Sequence, residues 1–272
     1  MAPYTFKQRN NAQIEGGGGQ KLVLAHGFGT DQQVWFQIVP ELASSFEIMT
    51  FDYTGAGHSR LDAYDEKRYA ELEGYADDII ELLDEAGWDN VFFVGHSISS
   101  MIGAEAAIKR PDLFSHLVMI SPSAHYLNDG DYRGGFDEQE IDELMTFMER
   151  NYREWSKTIG TVAAGNEDRP EVAEDFIGRL RRNDETITRQ FANVTFRIDM
   201  RERVKELTVP ASILQTSEDT IAPVDAGKYL EEVIPDASMH IMEANGHNPH
   251  LSDPEETIKW IRKLLLKDSM EE

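Results

Sequence analysis

Three side chains that lie far apart in the sequence could together perform nucleophilic catalysis: Ser97, Asp219 and His247. A serine hydroxyl is a weak nucleophile until a neutral imidazole removes its proton. A carboxylate bound to the other imidazole nitrogen fixes the tautomer and stabilises the imidazolium that forms. Each residue follows a predicted strand, and the carboxyl ends of parallel strands meet at one edge of a sheet. The chain order, serine then aspartate then histidine, therefore predicts a Ser-His-Asp site at that edge.

The segment that contains Ser97 has the features of a nucleophile elbow. An apolar run ends at Val94, Gly95-His96-Ser97 forms a tight turn, and helix-forming residues continue to Arg110. Such a turn lifts the serine hydroxyl clear of the sheet and aims the helix amides at a developing negative charge. The usual pattern is Gly-x-Ser-x-Gly, and this chain has Ser99 in place of the second glycine. Taken alone, the pentapeptide also fits an ordinary strand–loop–helix junction.

A glycine-rich loop after an earlier strand predicts a second part of this site. Lys21–Ala25 is a predicted strand, and His26-Gly27-Phe28-Gly29 leaves its carboxyl end. An acyl-transfer enzyme of this architecture takes one backbone donor from such a loop and another from the residue after the nucleophile. We therefore predict that the N–H groups of Phe28 and Ile98 form an oxyanion hole. A plain strand-to-helix turn is the alternative for the loop.

Other side chains near these positions compete for the same roles. Glu218 adjoins Asp219, but neighbouring residues of an extended chain point in opposite directions. His250 shares a loop with His247 and lies farther from the end of the preceding strand. A metal site built from these two histidines and His26 lacks the His-Glu-x-x-His spacing. We expect neither a metal nor a cofactor.

Composition limits the classes of partner and compartment. The chain has 272 residues, 40% of them apolar, no cysteine and a formal net charge of −24. Negative charge spread evenly along the chain argues against nucleic acid or an anionic membrane as a partner, because phosphates would be repelled. No segment reaches the roughly 18 apolar residues of a membrane span, and the N-terminus lacks a signal-peptide pattern. We therefore expect a cytoplasmic protein with one large domain.

Strands that alternate with helices predict an α/β protein with a mostly parallel sheet covered by helices on both faces. Near the N-terminus, Thr5–Asn10 and Ala12–Glu15 are predicted to pair as a hairpin. Gln33–Ala43 is predicted to be the first helix. Farther along, an apolar stripe of helical period predicts a helix that begins after Asp137 and continues to Trp155.

Between residues 124 and 200 the alternation breaks, and the spacing of apolar residues predicts helices only. Residues 1–123 and 201–272 are thus predicted to form the core, and residues 124–200 a four-helix lid above the carboxyl edge of the sheet. Such a lid encloses a pocket. The side chains predicted to line the pocket are His96, Tyr126, Phe136, Trp155, Ile159, Val194 and Phe196. For the aromatic residues of the lid, packing inside the lid is the alternative.

The chain also resembles a known family along nearly its whole length. The segments that carry the likeness are His26–Gln32, Gly95–Ser99, Arg110–Ser115, Tyr126–Asp129 and Gly134–Phe136. In these segments the chain resembles the RsbQ group of bacterial hydrolases and is similar to the plant karrikin and strigolactone receptor hydrolases. The resemblance implies the α/β-hydrolase fold, a four-helix lid and a mostly apolar pocket above the serine. It also implies the triad and the oxyanion amides named above.

Two functions from different classes follow from the resemblance. One is a serine esterase or lactonase that cleaves a small hydrophobic ester or lactone, RsbQ-like in a stress-signalling pathway with a PAS-domain phosphatase as partner. The alternative is a signalling receptor whose slow hydrolysis is secondary to partner binding. Haloalkane dehalogenases and epoxide hydrolases are disfavoured, because their nucleophile is an aspartate at the position of Ser97.

Overall fold

A seven-stranded, mostly parallel sheet runs through the centre of the computed structural model, which describes residues 5–166 and 168–266. The strand order is β1-β3-β2-β4-β5-β6-β7, in which β1 is antiparallel to β3 and the other neighbours are parallel. The strands are β1 Gln13–Glu15, β2 Gln20–Ala25, β3 Phe46–Thr50, β4 Val91–His96, β5 Phe114–Ile120, β6 Ala211–Thr216 and β7 Ala237–Met242. This sheet confirms the predicted α/β fold.

Helices cover both faces of the sheet. They are α1 Phe6–Arg9, α2 Val39–Leu42, α3 Leu72–Ala86, α4 Ile98–Lys109, α5 Glu138–Arg150, α6 Tyr152–Ala164, α7 Pro170–Leu180, α8 Glu185–Arg197, α9 Val224–Val233, α10 Pro249–Ser252 and α11 Pro254–Leu265. Short 3-10 turns lie at Gln32–Trp35, Leu61–Ala63, Arg68–Ala70, Pro111–Leu113 and Arg203–Glu206. None of the helices within the described residues has both the length and the apolar character needed to cross a membrane.

The two faces of the sheet carry separate apolar cores. Successive residues of β2 alternate between them: Leu22 and Leu24 belong to one buried cluster, and Val23 and Ala25 to the other. This alternation follows from the two-residue period of a strand. Because both faces are buried, the central strands are rich in apolar residues, as expected for a parallel sheet.

The predicted N-terminal hairpin is wrong. Residues Phe6–Arg9 form a helix, which begins with a capping box between Thr5 and Gln8. The Thr5 hydroxyl accepts from the Gln8 backbone N–H at 3.1 Å, and the Gln8 side chain accepts from the Thr5 N–H at 3.0 Å. Strand β1 pairs instead with β3. Because each side chain satisfies an end amide of the other residue, the segment starts a helix and not a strand.

Two predicted helices are interrupted in the structure. The helix expected over Gln33–Ala43 is a 3-10 turn followed by the short α2, and Pro40 lies in the first turn of α2. A proline lacks the N–H that a continuous helix would need at that position. The helix expected from Asp137 to Trp155 is divided at Asn151, which ends α5 and caps the start of α6.

Four helices, α5 to α8, lie between β5 and β6, and we refer to residues 124–200 as the helical insertion. Asp137 and Glu140 form a capping box at the start of α5. Pro170 occupies the first turn of α7, and Asp184 accepts from two amides at the start of α8. Acidic caps and a first-turn proline favour the start of a helix. The sequence therefore contained the signals for the start of these helices.

Candidate active site

Ser97 occupies a strained turn between β4 and α4. Its φ of 57° and ψ of −124° lie outside the regions that residues other than glycine usually adopt. The Ser97 N–H donates to the carbonyl oxygen of Ile120 at 2.8 Å, which ties the turn to the neighbouring strand. A Cβ atom at Gly95 would lie 2.6 Å from the Ser99 carbonyl oxygen, so only glycine allows this close approach of strand and helix.

The serine that replaces the second glycine of the motif has partners of its own. The Ser99 hydroxyl donates to the backbone oxygen of His26, and its oxygen lies 2.8 Å from the hydroxyl of Tyr53. His26 in turn accepts from the Tyr53 N–H at 3.1 Å through Nε2, so its proton resides on Nδ1. Ser99 therefore links the elbow to the loop that carries Phe28.

Three predicted side chains meet at the carboxyl edge of the sheet. The Ser97 Oγ lies 2.8 Å from His247 Nε2, and His247 Nδ1 lies 2.8 Å from Asp219 Oδ2. The second Asp219 oxygen accepts from the N–H groups of Ile221 and Ala222 at 2.8 and 3.0 Å. These donors hold the carboxylate in place. The adjacent Glu218 is exposed.

The loop that carries His247 is fixed from two sides. The Gly246 N–H donates to the Glu218 carbonyl oxygen at 2.7 Å, and the His247 N–H donates to the carbonyl oxygen of Ala163 at 2.8 Å. Ala163 belongs to α6, so the helical insertion holds the backbone of His247 directly. Gly246 has a φ of 79°, and a side chain there would overlap the Ala164 carbonyl oxygen.

The two predicted oxyanion donors lie beside the serine. Ile98 is the first residue of α4, and the first amides of a helix have no acceptor within that helix. Phe28 lines the same cavity as Ser97. The loop of Phe28 is anchored at its far end, because Asp31 forms a 2.6 Å ion pair with Arg179 of the helical insertion.

A cavity lies above Ser97, between the core and the helical insertion. Four of the seven predicted lining residues border it: His96, Tyr126, Ile159 and Phe196. The other residues that line it are Phe28, Ser97, Ala163, Phe176, Thr195, Ile221, His247 and Asn248. Most of these side chains are apolar, and the polar ones surround the serine or interrupt the wall singly.

Three predicted lining residues, Phe136, Trp155 and Val194, lie outside this cavity. Trp155 is fully buried inside the helical insertion, with its ring centroid 5.5 Å from that of Tyr152. Phe136 packs edge-to-face against Phe196, 6.2 Å between centroids, and so supports a lining residue from the side. Val194 is displaced by its neighbour on α8, because successive helical residues point about 100° apart and Thr195 is the one that borders the cavity.

Sequence reasoning missed Phe176 and Asn248 among the lining residues. Phe176 belongs to the apolar stripe of α7, and nothing in that stripe distinguishes a residue over the pocket from one inside the insertion. Asn248 follows His247 directly. Its polar side chain next to the predicted general base was the one feature of the sequence that could have indicated a place in the pocket.

Two buried histidines lie behind His247, the predicted general base. The ring of His96 lies 4.4 Å from that of His250 and 5.1 Å from that of His247, measured between centroids. Burial lowers the pKa of His96 well below its ordinary value, and His250 and His247 lower it further. Burial also lowers the pKa of His250 to about 3. His96 is therefore neutral, and its Nε2–H donates to the His247 carbonyl oxygen at 2.7 Å.

Tyr126 contributes a further hydroxyl at the serine. Its oxygen lies 3.3 Å from Ser97 Oγ, and burial raises the pKa of this phenol far above its ordinary value. Tyr126 thus keeps its proton and can donate a hydrogen bond toward the serine oxygen. Within residues 5–166 and 168–266, no group of three or more His, Cys, Asp or Glu side chains is arranged to hold a metal ion.

Comparison with known proteins identifies the family. Residues 22–260 match the model of the alpha/beta hydrolase family. The chain belongs to the α/β hydrolase family. This α/β hydrolase is 38% identical to the Karrikin insensitive 2 receptor CA of Petunia hybrida, over 93% of this chain and 94% of that protein. It is 35% identical to the Strigolactone esterase D14 of Arabidopsis thaliana, over 97% of this chain and 99% of the relative.

A solved structure extends the likeness to three dimensions. The hydrolase olei00960 from Oleispira antarctica is 34% identical and has a TM-score of 0.94, over 98% of each chain. The relatives confirm the predicted family and its likeness to the plant hydrolases. The α/β hydrolase is an enzyme, and its relatives include a named esterase.

Proposed function

We propose that this α/β hydrolase cleaves a small hydrophobic ester or lactone through a covalent acyl-enzyme on Ser97. The observation that carries the proposal is the position of His247, with one ring nitrogen 2.8 Å from the Ser97 hydroxyl and the other 2.8 Å from the Asp219 carboxylate. These distances allow a proton to pass from serine to imidazole while the carboxylate stabilises the resulting imidazolium.

In the proposed reaction, Ser97 Oγ attacks the ester carbonyl carbon and His247 Nε2 takes the serine proton. The negative charge that develops on the carbonyl oxygen is stabilised by the N–H groups of Phe28 and Ile98. Collapse of the tetrahedral intermediate breaks the bond to the alkoxy oxygen, which receives the proton from His247. A water molecule then attacks the acyl carbon, again with His247 as general base, and the carboxylic acid and free Ser97 are formed.

The cavity supports a substrate with a small apolar acyl or lactone group. Phe28, Phe176, Phe196 and Ile159 supply apolar and aromatic surface around the serine. We propose that residues 1–123 and 201–272 act as the catalytic core and that the helical insertion acts as its lid.

Replacement of the nucleophile tests this function. We expect Ser97→Ala to lower the kcat/KM for p-nitrophenyl acetate by about 10⁴- to 10⁶-fold, because the hydroxyl that forms the acyl-enzyme is lost. Ser100→Ala is a matched control, since Ser100 lies on the same helix and its hydroxyl donates to the Gly95 carbonyl oxygen. Retention of most of the esterase activity in Ser97→Ala would contradict the proposal.

A signalling receptor with slow turnover is the second candidate, and the likeness to the Karrikin insensitive 2 receptor CA favours it. The stress-signalling role with a PAS-domain phosphatase stays a prediction from the resemblance. A pre-steady-state measurement separates the two candidates. Both would form an acyl-enzyme and can release a burst of p-nitrophenol, so the rate after the burst decides between them. That rate should stay fast over many turnovers in an esterase and be slow, limited by deacylation, in a receptor.

A further inference from the structure

Two polar side chains in the cavity wall have no hydrogen-bond partner among the described residues. They are Asn248, whose amide nitrogen and oxygen are both unpartnered, and Thr195, whose hydroxyl is unpartnered. Asn248 is 1% exposed and Thr195 is 2% exposed. Both line the cavity above Ser97. Buried polar groups are nearly always paired, so a polar partner from outside the chain is indicated.

Asn248 differs from the other asparagine at a helix start in this fold. Asn151 precedes α6 and its side chain accepts from the Glu154 N–H, as capping residues usually do. Asn248 precedes α10, but its side chain makes no such bond. The amide of Asn248 is therefore left for the cavity, one residue after the proposed general base.

Thr195 differs in the same way from three other helical threonines of the insertion. Thr158, Thr161 and Thr188 each donate to the carbonyl oxygen four residues earlier. This bond is the usual solution for a threonine inside a helix. The Thr195 hydroxyl has no such bond within the described residues. Its donor is available to a molecule in the cavity and comes from the helical insertion, whereas Asn248 lies on a loop of the core.

We infer that Asn248 and Thr195 are specificity-determining residues that hydrogen bond a further oxygen of the substrate, other than those of the scissile ester or lactone group. This inference rests on the proposed function and narrows its substrate class to small apolar esters or lactones that carry one further carbonyl, ether or hydroxyl oxygen. Both side chains can donate to such an oxygen. A purely hydrocarbon acyl group would fill the same volume and leave both groups unpaired, which a polar site penalises strongly.

A matched pair of esters tests the inference. p-Nitrophenyl 4-oxopentanoate and p-nitrophenyl pentanoate have the same chain length and differ by one ketone oxygen. For each variant, the measured quantity is the ratio of kcat/KM for the oxo ester to kcat/KM for the plain ester. Dividing the wild-type ratio by the variant ratio cancels the intrinsic reactivity of the two compounds.

We expect Asn248→Leu to lower this ratio by on the order of tenfold, because the amide donor is lost and the ketone is left unpaired. Thr195→Val, which keeps the shape of the side chain, should lower it by a smaller factor, about threefold. Ile221→Val is the control: it changes an apolar lining residue and should affect the two esters equally. An unchanged ratio in both polar variants would overturn the inference and indicate that the two groups bind only water.

The Tm of the variant is a second measurement, and it would change if Asn248 had a structural role. Replacing an unpaired buried amide with an apolar side chain of similar size is nearly neutral or stabilising. The Tm of Asn248→Leu should therefore equal or exceed that of the wild type. A fall of several degrees would show that the amide has a partner within the fold and would overturn the inference.

The failure of the proposed function has a different signature. If the wild-type enzyme hydrolyses neither ester and Ser97→Ala behaves like the wild type, the acyl-enzyme mechanism is wrong and this inference falls with it. If the wild type hydrolyses both esters and the ratios stay equal across the variants, only the assignment of Asn248 and Thr195 is wrong.

Discussion

Different interactions hold the proposed catalytic residues of the cavity and the residues of the helical insertion that line it. We call Ser97, Asp219 and His247 the pocket floor, and the lining residues of the helical insertion the pocket wall: Tyr126, Ile159, Ala163, Phe176, Thr195 and Phe196. Each floor residue makes directional hydrogen bonds of 2.8–3.0 Å. The wall is held mainly by apolar packing, which tolerates volume-conserving changes. We infer that the floor fixes the reaction and that the wall fixes which molecule undergoes it.

Among the contacts between the helical insertion and the core, two lie next to the proposed catalytic groups. The Ala163 carbonyl oxygen accepts from the His247 N–H, and Arg179 pairs with Asp31 at the end of the loop that bears Phe28. One contact thus holds the general base and the other holds a proposed oxyanion donor. A change in the helical insertion can therefore reach the reacting atoms without touching the substrate.

The largest effect is expected in the floor, from Asp219→Asn. The fold should remain intact while kcat falls by about 10⁴-fold, because an amide favours the wrong imidazole tautomer. The adjacent carboxylate gives the matched control: Glu218→Gln should change the rate by less than about tenfold, since the exposed Glu218 side chain makes no bond to His247. Steady-state kinetics with p-nitrophenyl acetate measure both. The reverse ranking would assign the carboxylate role to Glu218.

The next largest effect is expected from Arg179→Leu, which removes a contact between the helical insertion and the core. The Arg179 side chain is buried and pairs with both Asp31 and Asp175. Its removal leaves the largely buried Asp31 carboxylate without its close partner, which we expect to lower the free energy of unfolding by about 3 kcal/mol. Arg189→Leu is the control, because Arg189 is in the same insertion and forms an exposed pair with Glu185.

Urea denaturation of the two arginine variants measures the difference. Arg189→Leu should lose less than about 1 kcal/mol, as exposed ion pairs usually do. Equal losses of unfolding free energy in the two variants would show that the Arg179–Asp31 pair stabilises the fold no more than a surface ion pair does. The pair would then not be an important link between the helical insertion and the core.

A pH-dependent loss of stability is expected from the histidines behind the floor. The folded state lowers the pKa of His250 to about 3 by burial, and it lowers the pKa of His96 in the same direction. Between that value and about 6.5 the unfolded chain binds more protons than the folded chain, so stability falls as pH falls. Above pH 6.5 these groups contribute no pH dependence.

The slope can be measured by denaturation at several pH values. Each of the two histidines should reduce the free energy of unfolding by about 1.4 kcal/mol per pH unit below 6.5. In His250→Leu the slope should decrease by the share of one histidine. A slope unaltered in His250→Leu would contradict the assignment.

The same contrast explains what the sequence could predict. The floor is encoded locally: an apolar strand, a Gly95-His96-Ser97 turn and a loop histidine suffice to place Ser97 and His247 at one sheet edge. In the wall, by contrast, the rotation of each helix about its axis decides which residues line the cavity. Val194 and Thr195 are neighbours in sequence, and only the packing of α8 decides which of them borders the cavity.

Local hydrogen bonds account for the other differences. The Thr5–Gln8 capping box makes a helix where alternating residues suggested a strand. Asn151 divides one apolar stripe into two helices because its side chain caps the second of them. The capping residues were visible in the sequence, but the spacing of apolar residues alone does not show where a cap begins a helix. Trp155, whose size favoured a pocket role, instead fills the interior of the helical insertion.

The location of a covalent label tests the central claim most directly. A fluorophosphonate reacts with a serine only when a neighbouring base activates it, and the modified residue is identified by peptide mass spectrometry. We expect a single adduct on Ser97, lost in Ser97→Ala and strongly slowed in His247→Ala, because the imidazole activates the hydroxyl at 2.8 Å. A label on another residue, or unchanged labelling without His247, would contradict the account.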